Sequence, residues 1–214
     1  MAIIENNILG KISGKLGNMV FYERNGKTVI KSLPSKSSTP PSAKQLYQRA
    51  AFKIGQQFLT PLRAELEIGF AKSSLALSQG FNRALSVILK TAILNEGGNP
   101  VLYPEKVKIS EGDLLGVEIP AAQWIGGNLL EIAWVPNAFM GHAKEADRLF
   151  VVAYDPDSGR KWAIIKGNYR KTGSQQIQFP WSGELQGRFY IYLSFFAEVN
   201  RGKEFSDSVC LGRV

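Results

Sequence analysis

The amino-acid sequence predicts an α+β fold, with a β-hairpin and two helices in residues 1–100 and an antiparallel β-sandwich in residues 101–214. Three observations support this prediction. An Asn-Gly pair at positions 25–26 separates two runs of alternating apolar residues. Apolar residues then recur every four positions between residues 46 and 66, which is the spacing of one helix face. After Pro104 the apolar period falls to two, and turn signals separate short β-rich runs.

The hairpin is predicted to turn at Asn25-Gly26, because a type I′ turn requires positive φ at both central residues. This register sets Arg24 opposite Lys27, and alternation divides the hairpin into two faces. We expect one face to point toward a core, and it consists of Met19, Phe21 and Ile30. The opposite face is basic with one aromatic ring, and it consists of Tyr22, Arg24, Lys27, Val29 and Lys31.

Residues 33–43 are predicted to form a linker, since their prolines and serines favour extended and irregular backbone. A helix follows, with an apolar stripe that consists of Leu46, Ala50, Ile54, Phe58, Leu62 and Leu66. Pro61 should end, kink or restart this helix, because proline lacks the N–H that the helix needs. A second helix is predicted from about Ser73 to Leu94. Gly97-Gly98-Asn99-Pro100 is expected to close it and to mark the domain boundary.

The second half contains eight short β-rich runs separated by turn residues, which is typical of an antiparallel sandwich. The runs are 107–110, 117–119, 129–135, 149–155, 161–166, 176–179, 188–199 and 205–211. In the run 188–199, every second residue is apolar and should therefore face the other sheet. These residues are Phe189, Ile191, Leu193, Phe195 and Ala197.

Two resemblances add to this prediction. From about Leu129 onward the markers are Trp134 late in an early strand, Tyr154 in the next strand, and the alternating run that begins at Phe189. With these residues the segment resembles a fibronectin type III or related immunoglobulin-like domain. The resemblance implies an immunoglobulin-like sandwich, a fold that commonly serves as a binding module.

The second resemblance covers nearly the whole chain. It rests on Gly10-x-x-x-Gly14-Lys15-x-Gly17-Asn18, Asn25-Gly26-Lys27-x-x-Ile30-Lys31-Ser32-x-Pro34, Pro40-Pro41, Gln45-x-x-x-Arg49-x-x-Phe52 and Ser206-x-Ser208-Val209-x-Leu211-Gly212. With these motifs the chain resembles an uncharacterised family of Bacteroidota proteins, the domain of unknown function 6266. That family implies no activity, substrate or catalytic residue.

The net charge of +8 comes entirely from residues 1–100, which carry 13 bases and five acids, whereas residues 101–214 carry 13 of each. Clustered Lys and Arg residues displace counterions from nucleic acid, and an aromatic ring can stack on a base. We therefore expect a candidate polyanion-binding face that consists of Lys11, Lys15, Tyr22, Arg24, Lys27, Lys31, Lys44, Arg49 and Lys53. A solvated surface whose lysines guard an edge strand explains the same charges.

No arrangement of residues predicts catalysis, a metal site or a cofactor. His142 is the single histidine and Cys210 the single cysteine, so a multi-histidine metal site and an internal disulfide are excluded within one chain. The segment 10–16 lacks the spacing and the hydroxyl residue of a phosphate-binding P-loop. The segment 155–159 lacks the later ligands of a calcium loop and is typical of a hairpin turn.

The sequence therefore predicts a non-enzymatic structural or protein-interaction protein that binds a protein partner or a second copy of itself. One alternative is nucleic-acid binding through the basic residues above. A second alternative is carbohydrate binding by sandwich aromatics, for which the candidates are Trp162, Tyr169, Trp181, Tyr190 and Tyr192. The chain shows no Sec signal peptide and no stretch of about 18 uncharged apolar residues, so we expect a cytoplasmic protein with no membrane span.

Overall fold

A computed structural model of the chain describes residues 2–4, 12–24, 26–34, 39–71, 79–199 and 202–214. The chain divides into two compact units, Met1–Ser42 and Ala43–Val214. Helices take up 24% of the described residues and strands 42%, and all of the described strand pairs are antiparallel. The predicted α+β fold class is confirmed.

The first unit is a four-stranded sheet in the order β1-β4-β3-β2, and its strands are β1 (Ala2–Ile4), β2 (Gly14–Leu16), β3 (Met19–Arg24) and β4 (Lys27–Ser32). The predicted hairpin register is confirmed, with Arg24 opposite Lys27. Gly26 has a φ of 75°, as the turn requires, while Asn25 lies outside the described residues. The predicted core face is wrong in part, because Met19 is 46% exposed while Val29, on the basic face, is 3% exposed. Alternation separates two faces of a hairpin but does not determine which one is covered.

The first predicted helix forms as two pieces, α1 (Ala43–Leu59) and α2 (Arg63–Gly69), joined by a 3₁₀ turn. Pro61 lies within that turn, so the predicted restart of the helix at this proline is confirmed. The predicted stripe is wrong at its start, since Leu46 is 53% exposed. A strict spacing of four drifts around a helix of 3.6 residues per turn, so the buried positions shift to Ala51 and Gly55 in the middle of α1.

The second predicted helix ends three residues earlier than expected, because α3 spans Gly80–Thr91, and its predicted start near Ser73 lies outside the described residues. It is followed by a second hairpin made of β5 (Ile93–Glu96) and β6 (Asn99–Leu102). The prediction that Gly97 and Gly98 close the helix is therefore wrong. Their φ angles of 59° and 93° form the two-residue turn between these strands instead.

The remaining strands form two sheets. A three-stranded sheet has the order β11-β8-β7, with β7 (Glu118–Gly126), β8 (Leu129–Val135) and β11 (Ser174–Gln178). A five-stranded sheet has the order β10-β9-β12-β13, and β14 also pairs with β12. Its strands are β9 (Arg148–Asp155), β10 (Arg160–Ile164), β12 (Tyr190–Val199), β13 (Gly202–Phe205) and β14 (Val209–Arg213). The strand predicted at 107–110 does not form, and the short run predicted at 117–119 extends into the nine-residue β7.

The two sheets enclose one core, and the helices enclose another. Phe189, Ile191, Leu193 and Phe195 belong to the core between the sheets, as predicted, and Ala197 packs at its edge. Tyr190, Tyr192 and Phe196, which alternate with them along β12, belong to a second core that β12 and β9 share with α1, α2 and α3. Seven consecutive residues of β12 are buried, because both faces of this strand are covered.

The helices and the five-stranded sheet belong to the same compact unit. Phe58 of α1 packs edge-on against Tyr154 of β9 with ring centroids 5.2 Å apart, and Lys161 Nζ lies 2.8 Å from Glu65 Oε2 of α2. The boundary of the two compact units therefore lies between Ser42 and Ala43, whereas the sequence predicted a division near residue 100. The predicted division into domains of residues 1–100 and 101–214 stays a prediction.

Candidate functional site

The predicted polyanion-binding residues divide between the two units. Five of them share one face of the first sheet, which we name the basic face: Lys15, Tyr22, Arg24, Lys27 and Lys31. Lys15 and Lys31 both pair with Val20, from opposite sides, which aligns them in one row across the sheet. Lys44, Arg49 and Lys53 lie exposed on α1 in the second unit, and Lys11 lies outside the described residues. The structure thus brings five of the nine residues together.

The aromatic ring of the basic face already contacts a cation. Tyr22 is half-buried, and Lys31 Nζ lies 5.4 Å from the centroid of its ring. Lys15, Arg24 and Lys31 are exposed. A phosphate backbone could contact these charges directly, whereas a base could stack on Tyr22 only after Lys31 moved aside.

The five aromatic residues considered for carbohydrate binding do not form one flat row. Tyr190 and Tyr192 are buried in the core shared with the helices. Trp162 is 37% exposed, but its ring stands at 78° to that of Trp181. Tyr169 is exposed elsewhere, beside Arg148. Carbohydrate binding therefore stays an untested hypothesis.

The sequence did not predict the site that the structure shows most clearly, which is the segment 136–147 between β8 and β9, here named the β8–β9 loop. Arg170 is fully buried, and its guanidinium group holds both ends of this loop. Nη1 donates to Asn137 Oδ1 at 2.6 Å, and Nε donates to Asp147 Oδ2 at 3.1 Å. Nη2 donates to the Leu115 carbonyl at 2.8 Å, which ties the loop to the segment before β7.

The surroundings of Arg170 compensate for its burial. Desolvation lowers the pKa of the Arg170 guanidinium, and the charge and hydrogen bond of Asp147 act in the opposite direction. The Phe195 ring centroid lies 4.0 Å from the guanidinium carbon, and Trp134 Nε1 donates to the Arg170 carbonyl at 2.8 Å. Because a buried cation with all of these partners is costly to disturb, the base of the β8–β9 loop is held in one conformation.

The tip of the β8–β9 loop presents apolar side chains to solvent. Phe139 is 79% exposed and Met140 is 57% exposed. Phe139 has a φ of 69°, although this left-handed conformation costs a bulky residue about 1–3 kcal/mol. Two hydrogen bonds maintain it: Phe139 N donates to the Ala143 carbonyl at 2.9 Å, and Ala143 N donates to the Met140 carbonyl at 3.1 Å. The chain thus holds an exposed aromatic residue in a strained, defined position.

An open groove of about 710 Å³ lies beside this tip. Its apolar lining includes Phe139, Tyr169 and Val199. The Arg148 guanidinium carbon lies 4.4 Å from the Tyr169 ring centroid, and Nη2 donates to the Tyr169 hydroxyl at 2.8 Å. Aromatic residues and Arg, which line this groove, are residue types enriched in protein interfaces.

The histidine of the loop and the half-buried cysteine lie in different parts of the second unit. His142 lies in the β8–β9 loop, whereas Cys210 packs against the core shared with the helices. Burial raises the pKa of the Cys210 thiol to about 11, which leaves it protonated near neutral pH. Across the described ranges, no three His, Cys, Asp or Glu side chains group as metal ligands.

The sequence around Arg170 gives no sign of this site, whereas the sequence around Phe139 does. Tyr169-Arg170-Lys171 has the composition of a solvated turn, so nothing local marks Arg170 as buried. Phe139-Met140, in contrast, lies in a segment that connects two strands, a short distance after an asparagine and directly before a glycine. An apolar pair in such a connection is a signal that could have indicated an exposed binding loop.

Comparison with known proteins gives a family and no activity. Residues 11–212 match a family of unknown function, DUF6266. No curated protein matches the chain. In the part of the chain that the structure describes, no helix is long and apolar enough to cross a membrane.

Proposed function

The chain belongs to the family of unknown function DUF6266, and we propose that it is a non-enzymatic interaction protein that binds a protein partner through the β8–β9 loop and the adjoining groove. The main support for this proposal is the exposure of Phe139. Its side chain is 79% exposed, its φ is 69°, and Arg170 holds the two ends of the loop that carries it. Burying the Phe139 side chain in a partner would return about 1.5–3 kcal/mol, and little ordering entropy opposes this gain when the loop is already fixed.

The strand order supports the same proposal at the level of the fold. We propose that residues 118–214 form a fibronectin type III-like sandwich, because β7, β8 and β11 form one sheet and β10, β9 and β12–β14 form the other. In sandwiches of this kind the loop after the second strand and the loop before the last strands lie at one end, where binding sites are common. The groove lies between the β8–β9 loop and residues of β12 and β13. This support is an analogy between folds.

Site-specific photo-crosslinking in cells of the source organism tests the proposal. A benzophenone amino acid at position 139 should give discrete protein adducts on irradiation. The same amino acid at Lys90, which is exposed on α3, is the matched control and should give none. Absence of adducts at position 139, or the same adducts at both positions, would refute the proposed binding surface.

A second candidate function is polyanion binding through the basic face. The strand register favours this candidate, because Lys15, Arg24, Lys27 and Lys31 lie on one side of the sheet.

Titration of single-stranded and duplex DNA and RNA at low and moderate salt measures the affinity for polyanions. The triple variant R24E/K27E/K31E should bind more weakly than the wild type. On duplex DNA, the slope of log binding constant against log salt concentration should become shallower by roughly 0.9 for each phosphate that the variant no longer neutralises. The triple variant K44E/R49E/K53E makes the same change in net charge on α1. Its affinity for nucleic acid shows whether the basic residues of the second unit take part in binding. No binding at low salt removes this candidate.

A cytoplasmic location and an origin in Bacteroidota remain part of the proposal. The location is proposed because the sequence contains no stretch of about 18 uncharged apolar residues, and the origin is proposed from the family resemblance. Fractionation of cells that express the chain at its natural level would test the location.

A further inference from the structure

We propose that the partner bound by the β8–β9 loop and its groove is a second copy of this chain, related to the first by a two-fold axis. This inference rests on the proposed function, since it uses the same surface. A two-fold interface joins the same patch on both subunits, so each patch must carry both a projection and a recess. Phe139 projects at the rim of the groove that it helps to line. Each copy can therefore insert Phe139 beside Tyr169 of the partner subunit.

The charges of the groove are also self-complementary. Lys144 belongs to the β8–β9 loop side, and Glu204 belongs to the β13 side. Both residues are exposed, and within the described ranges neither side chain makes an ion pair. A two-fold axis through the groove would place Lys144 opposite Glu204 of the partner subunit. The same symmetry would place Glu204 opposite Lys144 of the partner subunit.

The other charged residues of the groove already have partners. Glu198 Oε1 lies 2.6 Å from Lys166 Nζ, and Arg148 donates to the Tyr169 hydroxyl at 2.8 Å. Asp147 is buried against Arg170. Lys144 and Glu204 are therefore the exposed groove charges, one of each sign, that make no ion pair within the described ranges, and the same groove carries the apolar side chains of Phe139 and Val199. Glu204 would repel a polyanion, and Lys144 would repel a uniformly basic partner. A second copy of the same patch instead places an opposite charge against each of them.

Sedimentation equilibrium of the purified full-length chain over a wide concentration range tests this inference. The wild-type chain should dimerise reversibly. K144E and E204K should each raise the dimer dissociation constant by about tenfold or more, because each places like charges opposite one another. The double variant K144E/E204K restores opposite charges with the positions exchanged and should return the dissociation constant to near the wild-type value. F139S should abolish dimerisation.

The control is K90E, which makes the same charge change as K144E at an exposed position of α3. It should leave the dimer dissociation constant unchanged. A wild-type chain that is monomeric at every concentration, or a double variant no better than either single variant, overturns the inference. Crosslinks from position 139 to a different protein, together with a monomeric purified chain, would remove the two-fold dimer and leave the proposed function standing. Absence of crosslinks from position 139 together with a measurable dimer would instead refute both.

Discussion

The two compact units bury their apolar side chains to very different extents. In Ala43–Val214, one core lies between the two sheets and another lies between the five-stranded sheet and the helices. In the first unit, across residues 12–24, 26–34 and 39–42, Val29 is the one apolar side chain that is buried. Turn residues and strand pairing therefore determine the structure of the first unit, whereas burial of both faces of the five-stranded sheet determines that of the second.

Truncation should give the largest effect and tests this comparison first. We expect a fragment of residues 43–214 to stay folded, because no described residue of the first unit belongs to either core. A fragment of residues 101–214 should lose cooperative unfolding, because removing α1, α2 and α3 bares Phe150, Val152 and their neighbours in the shared core. Thermal unfolding followed by circular dichroism measures both. Cooperative unfolding of the shorter fragment would instead establish the domain boundary near residue 100.

Removal of the buried cation should give the next largest effect. Arg170→Met leaves Asp147 buried without its partner and should lower the free energy of unfolding by about 3–5 kcal/mol, measured by urea denaturation. Lys171→Met is the neighbouring control. Its ammonium group lies 3.6 Å from Glu145 Oε2 and is largely solvated, so that loss should stay within about 1 kcal/mol. Equal losses for the two variants would show that the Arg170 contacts do not hold the loop.

A matched pair of leucine truncations compares the two units directly. Leu66 is 0% exposed in the core shared with the sheet, and Leu66→Ala should cost about 2–5 kcal/mol. Leu16 is 67% exposed in the first unit, and Leu16→Ala should change the free energy of unfolding by no more than about 0.5 kcal/mol. Chemical denaturation of both variants measures the difference, and a Leu16→Ala loss as large as that of Leu66→Ala would contradict the comparison.

The smallest expected effect concerns Cys210. Burial raises the pKa of its thiol to about 11 from an ordinary value of 9.0, so the folded chain should react slowly with iodoacetamide at pH 8 and rapidly after unfolding in urea. Because the folded-state pKa is the higher one, the stability that this thiol contributes is complete below about pH 9 and is lost as the pH rises toward 11. Equal alkylation rates for the folded and unfolded chains would contradict this burial.

Local signals predicted local structure well. Asn25-Gly26 predicted the hairpin register, Pro61 predicted the interruption between α1 and α2, and the strand predicted at 129–135 coincides with β8. Each of these features depends on backbone constraints that lie within a few residues of one another.

The features that the sequence did not predict depend on contacts between distant residues. The alternation of β12 indicated one covered face, yet Tyr190 and Tyr192 on its other face are covered by helices that precede it by about a hundred residues. Arg170 likewise becomes buried only because Asn137, Asp147 and the Leu115 carbonyl converge on it. A single sequence carries no local mark of such convergence, so the contacts by which Arg170 holds the ends of the β8–β9 loop could not be predicted.

We infer that the buried Arg170 holds the β8–β9 loop in one conformation in the free chain. Hydrogen–deuterium exchange of the free chain tests it most directly, through the amides of Phe139 and Ala143 that donate within the loop. We expect slow exchange at both amides in the wild type and much faster exchange in Arg170→Met. Exchange in the wild type at the rate of an unstructured peptide would contradict it.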